Sequence, residues 1–154
     1  MCATVVSIPT FAVRSVGRIS TGLTRRDQEA GMPQYAALIY EPDDPDWSTV
    51  DTPERQQMMS EYGAFGATAA AVLRGGAALY PTSTATTVQV TGGKGGDVVT
   101  TDGPFAETKE VLTGFYLMDC ADLDEAVRWA SQIPAAWTSK VEVRPVIDLG
   151  ASGS

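Results

Sequence analysis

A chain of 154 residues with 11 Lys and Arg against 19 Asp and Glu carries a formal charge of −8, and 44% of it is hydrophobic. That length and balance suit one globular domain with a single core and exclude a wholly disordered chain. Arg25-Arg26 is the one basic cluster, so nucleic acid is not expected as a partner.

In chain order, residues 1–31 come first and hold four arginines against two acidic residues. Their Arg-, Ser- and Thr-rich start has the composition of an organellar transit peptide, but Met32-Pro33 leads straight into the first apolar run. Gln28-Glu29-Ala30 can also be encoded by a ribosome-binding sequence just before Met32. The expectation is therefore a domain over residues 32–148, preceded by a disordered extension or mis-called start over 1–31 and followed by a flexible tail over 149–154.

Tyr35–Tyr40 is a short apolar run and reads as a strand. Glu41–Trp47, with two prolines and four acids, is a loop. Thr52-Pro53-Glu54 supplies an N-cap, a first-turn proline and a first-turn acid. A helix is expected from about Pro53 to Arg74, with Met58, Tyr62, Phe65, Ala69 and Val72 on its buried face and Gly75-Gly76 as its stop. Ala77–Tyr80 is a short apolar stretch, and Pro81–Thr87 is either loop or edge strand. Thr86–Val90 and Asp97–Thr101 flank Gly92–Gly96 as a hairpin. After a turn at Asp102-Gly-Pro, Phe105 is expected to plug into the core. Gly114–Asp119 is a further strand. Asp122 and Glu125 start a second helix with Leu123, Ala126, Val127, Ala130 and Ile133 buried; Pro134 ends it, and Val141–Arg144 is the last strand.

The expected order is β, α, β, β, β, α, β. It corresponds to an α+β, ferredoxin-like split βαβ plan, an antiparallel sheet with two helices on one face. The bare apolar face then calls for a second copy, a homodimer with sheets face to face.

The segment Thr101-Asp-Gly-Pro-Phe-Ala-Glu-Thr-Lys-Glu110, followed by Gly114-Phe-Tyr, resembles the signature of the DGPF branch of the YCII-related proteins. Leu38–Tyr40, Met58–Tyr62 with Phe65, Pro81 with Ser83–Val88, Asp122–Ala126, Ile133–Ala136 and Val141–Val146 match the same pattern in order, so the similarity spans about Pro33 to Val146. The resemblance implies a cytoplasmic bacterial protein, a dimeric α/β-barrel with a pocket between sheet and helices. The wider family includes a dehydrochlorinase-type lyase and is associated with a catalytic His/Asp pair. This chain has no histidine, so of that pair only the aspartate side carries over, as Asp102. Ala77 stands where the pattern has Glu and Trp137 where it favours a basic residue, which implies a more apolar pocket. The branch is also associated with extracytoplasmic-function sigma factors.

The absence of histidine further excludes Ser-His-Asp and Cys-His catalysis and HExxH zinc sites. Cys2 and Cys120 have no metal or disulfide-framework spacing, as suits a reducing cytoplasm, and no 18-residue apolar run spans a membrane. Asp102 is the candidate general base, set against a role in which its carboxylate merely caps its own turn. Arg144 is the candidate grip for a substrate carboxylate, set against an ion pair with Glu142 or Glu107. Tyr40 and Tyr116 are candidate hydroxyl donors to substrate, set against ordinary core aromatics. Ser83 and Thr84 are candidate polar contacts, set against a Thr-rich β edge. Lys109 and Glu110 are a candidate proton-transfer pair, set against a solvated surface pair; Cys120 lies in an acidic setting unfit for a nucleophile, and Gly92–Gly96 lacks phosphate-loop spacing. No cofactor and no metal are expected. Two functions follow. One is cofactor-free proton-transfer or lyase chemistry on a small organic acid or phenol. The other is a non-catalytic small-molecule-binding or regulatory module beside a sigma factor.

Overall fold

Strand alternation sets the centre of the fold. In β1 (Gln34–Pro42), Tyr35, Ala37 and Ile39 are buried, while Gln34, Ala36, Leu38 and Tyr40 between them are partly open. A computed structural model describes residues 31–47 and 51–149. The expectations for residues 1–31 and for the tail from 149 onward fall, but for their inner ends, outside the described residues.

Four strands form the main sheet in the order β2-β5-β1-β6, every neighbouring pair antiparallel. They are β1, β2 (Leu73–Ala78), β5 (Glu110–Asp119) and β6 (Lys140–Pro145). With three helices the domain is α+β and compatible with the ferredoxin-like plan. Phe65, Ala69, Ala126, Ala130, Ile133 and Ala135 from the helical layer join Tyr35, Ala37, Ile39 and Met118 in a single core, so the helices lie on one sheet face.

Helix α1 (Pro53–Thr68) starts as its sequence dictates, with the Thr52 hydroxyl accepting from the Arg55 amide at 3.3 Å and Pro53 in the first turn. It ends six residues earlier than the apolar spacing implies. The chain leaves the helix in tight turns, with the amides of Val72 and Leu73 both bonded to the Ala69 carbonyl, and Ala69 and Val72 stay buried without being helical together. Leu73 onward is β2, an edge strand missing from the expected order. Gly75-Gly76 is therefore strand interior. A Cβ on Gly76 would lie 2.6 Å from the Phe115 carbonyl oxygen, so glycine here allows close approach to β5.

Asp122 caps α2 (Leu123–Ala130) by accepting from the Glu125 amide at 2.8 Å, and the Glu125 carboxylate reaches back to the Ala121 amide at 2.6 Å. Ala126 and Ala130 face the sheet, but Leu123 and Val127, expected beside them, are 49% and 50% exposed. Two alanines suffice for the buried stripe, and the larger side chains fall on the flank. Pro134, fully buried, opens the short α3 (Ala135–Thr138).

The segment between β2 and β5 makes no part of the main sheet. A 3-10 turn at Thr82–Thr84 leads to β3 (Thr86–Thr91), which pairs only with β4 (Asp97–Asp102) as a separate two-stranded sheet. Gly92, Gly93 and Gly95 take φ of 83°, 80° and 84° in the connecting turn, as a hairpin of this shape needs. The root of this arm is tied by the Gly103 amide to the Ala85 carbonyl (2.8 Å) and by the Thr87 hydroxyl to the Gly103 carbonyl (2.9 Å).

Candidate functional site

The polar chemistry of the domain gathers where β1 leaves the sheet and β5 enters it. Residues Ile39 and Tyr40 pair with Gly114 and Leu112, so Thr113 is an extra residue on β5. Its hydroxyl donates to the Glu41 carboxylate at 2.7 Å. Past this bulge Leu112 lies opposite Tyr40 and Glu110 opposite Pro42. Lys140, paired with Tyr40 on the other side of β1, reaches Glu110 at 2.6 Å.

Two clefts lie at this end. The larger, of about 470 Å³, is lined by Tyr40, Glu110, Lys140, Val141 and Glu142, and it falls within the volume range of small-ligand sites. The smaller, of about 270 Å³, lies between Asp43, Thr82, Ser83, Pro104, Ala106, Glu107, Thr108 and Val111. Its walls are braced: Asp43 accepts from the amide and hydroxyl of Thr82, and the Thr108 hydroxyl donates to the Glu110 carbonyl at 2.6 Å. The loop after Asp102 thus forms one wall of the second cleft.

The six candidate residues are dispersed. Ser83 lines the smaller cleft and Tyr40 the larger. Thr84 is exposed and donates to the Pro81 carbonyl at 2.8 Å, closing its own turn. Tyr116 stands on the helix-facing side, its ring edge-on to Phe65 at 5.3 Å, and burial pushes its hydroxyl pKa up. Nearby Tyr62 is shifted the same way by burial, then by Glu41 and Tyr116, against a backbone hydrogen bond at Ala135. Arg144 is exposed on β6 with Nε 3.5 Å from Glu142.

Asp102, the last residue of β4, is exposed and lines neither cleft. Among the described residues its carboxylate makes no hydrogen bond, so it neither caps its own turn nor sits in a water-poor pocket. Phe105, expected in the core, is 91% exposed instead, because the loop runs outside the sheet. Cys120 is buried, and burial with Glu125 and Asp119 nearby pushes its thiol up.

Lys140 and Asp43 were not foreseen, Glu142 was expected only as an ion-pair partner of Arg144, and Glu110, expected beside Lys109, meets Lys140 instead. Alternation along β6 could have placed Lys140, Glu142 and Arg144 on one face, but the bulge that delivers Glu110 to them leaves no mark in the spacing. Among the described residues no group of three or more metal-ligating side chains converges, and no helix is long and apolar enough to cross a membrane.

An antiparallel four-stranded sheet covered by helices on one side, with a small hairpin inserted before its third strand in chain order, defines an α+β domain of split βαβ connectivity. The YCII-related domain model matches residues 34–150, and the chain belongs to that family. It is 49% identical over 72 residues to the uncharacterized protein R00369 of Rhizobium meliloti strain 1021, an alignment covering 46% of this chain and 56% of that relative.

Proposed function

We propose that this YCII-related chain is a homodimeric small-molecule-binding module, joined through the open faces of its sheets into an α/β-barrel, and that it binds its ligand without transforming it. The observation that carries this is the composition of the open face. Ala36, Leu38, Phe115, Leu117 and Ala77 make its centre, and Lys140, Glu142 and Arg144 run along its β6 edge. A domain whose helices cover one face only leaves such a centre for a second copy. The cleft beside Tyr40 opens on the same side, and its Lys140–Glu110 pair and phenol suit a small organic acid or phenol.

Binding is favoured over catalysis because Asp102 is exposed and lines neither cleft, and the remaining candidates do not converge on it. Sedimentation and a thermal-shift scan test this reading. Wild type is expected as a dimer, Leu38→Glu as a folded monomer, and at least one small acid or phenol is expected to raise the melting temperature by mass action. A monomeric wild type rejects the dimer, and a scan with no shift rejects the ligand.

A second reading rests on one specific fact, that the Asp102 oxygens have no hydrogen-bond partner among the described residues. On it, Asp102 is the base of a cofactor-free proton transfer. Turnover lost in a folded Asp102→Asn variant supports that chemistry, and unchanged turnover ends it. A regulatory role beside a sigma factor is the partner version of the binding module, tested by co-purification with the sigma factor from the same source.

A further inference from the structure

The β3–β4 arm has two unlike faces. Register places Thr86, Val88 and Val90 opposite Asp102, Thr100 and Val98 on one side, and Thr87, Gln89 and Thr91 opposite Thr101, Val99 and Asp97 on the other. The first side is mostly valine and threonine, with Val88 at 61% and Val98 at 67% exposure. A two-stranded ribbon alone is marginal in water and gains independent stability only when an apolar face is covered. At its root, three residues past Asp102, the Phe105 ring is the most exposed large apolar side chain among the described residues.

We infer that this arm and Phe105 are the second half of the dimer interface, reaching onto the partner protomer beyond the sheet. The inference rests on the homodimer proposed above and goes further by assigning the arm's occupant. Area argues for it. The open sheet face has four strands, the outer two of six residues and the inner two of nine and ten; at about 4.8 Å between strands and 3.3 Å per residue it projects about 500 Å². Each partner in a standard interface gives about 800 Å². The arm adds about 200 Å² of projected face by the same spacings, and Phe105 adds an aromatic anchor of the kind that concentrates binding energy.

Charge argues the same way. Two copies of a chain at −8 repel unless opposite charges meet at the contact. Asp102 closes the valine face with a carboxylate that has no ion-pair partner among the described residues, while the open face offers the exposed Arg144 along β6, Lys140 there being held by Glu110. Arg144 holds Glu142 only at 3.5 Å, the longest of the described ion pairs.

Sedimentation equilibrium on three variants separates this inference from the dimer itself. Val88→Lys with Val98→Lys is expected to raise the dimer Kd at least tenfold, and Phe105→Ala about tenfold, both with far-ultraviolet circular dichroism unchanged. Leu38→Glu breaks the sheet contact. In the wild type, hydrogen exchange at the amides of Val90 and Val98 is expected to slow as concentration crosses the dimer Kd. If the arm variants dimerise as the wild type does while Leu38→Glu dissociates, the sheet dimer stands and the arm inference is overturned. If arm amides exchange equally in monomer and dimer, the arm is likewise outside the interface. A wild type monomeric at every concentration, with a freely exchanging arm, overturns both and hands the valine face to another partner.

Discussion

The main sheet and the β3–β4 arm are built from the same kind of alternating strand, yet one is covered by its own chain and the other is not. In β1 and β5 the inward set, Tyr35, Ala37, Ile39 and Met118, is buried under α1 and α2. In β3 and β4 no residue is buried, although Val88, Val90 and Val98 line one face as regularly. Alternation thus reports that a strand has a face to cover and says nothing about what covers it. The difference separates side chains that hold the monomer from side chains that await a contact.

The contrast is sharpest at the centre of the core. Met118 is fully buried, so Met118→Ala is expected to cost about 3 kcal/mol by urea denaturation, in the range for buried Met or Leu truncation. Next is a pair of neighbouring glycines. Gly76→Ala forces a Cβ against the backbone of β5 and is expected to cost about 2 kcal/mol, as overpacking does. Gly75→Ala meets nothing within 4 Å and should cost far less. Removing the α2 cap in Asp122→Ala is expected to cost about 1 kcal/mol, read as a lower melting temperature.

Alkaline pH probes the same core. Burial holds the Tyr62 and Tyr116 hydroxyls protonated, so their folded pKa values lie above the value of about 10 for an unfolded tyrosine. The stability they contribute is complete below pH 10 and falls as pH rises through the folded values. A titration at 295 nm followed with circular dichroism should show these two ionising late, with unfolding close behind. The smallest effect belongs to the arm: Val98→Thr is expected to change monomer stability by less than about 0.5 kcal/mol. A loss comparable to that of Met118→Ala would erase the distinction between the two regions.

Where local chemistry is sufficient, the sequence is legible. The Thr52-Pro53 start of α1, the Asp122–Glu125 start of α2, the glycine-rich hairpin turn and the strands around Ala37, Phe115 and Val143 all follow from residues within a few positions of each other. The end of α1 does not. Ala69 and Val72 keep a helical spacing that a tight turn satisfies equally well, and Gly75-Gly76 has the form of a helix stop until β5 is beside it. Leu123, Val127 and Phe105 misled for a related reason, since bulk identifies a side chain that gains from burial and not the neighbour that provides it. The clefts were the least legible part. Each is lined by segments far apart in sequence, and the partnership of Glu110 with Lys140 depends on a register shift.

That shift at Thr113 makes the sheet behave like a counter with one skipped step. On one side of it the odd members of β1 share a face with the even members of β5; were Thr113 paired regularly instead of bulged, the tally beyond would reverse, and Val111 would take the side that Glu110 now holds. A straightened bulge would thus exchange a carboxylate for a valine beside Lys140 with no side chain substituted, whereas loss of Thr113 alone would keep Glu110 opposite Pro42. The skipped step thus decides which residues letter the cleft while the core side of the sheet before it keeps its own count.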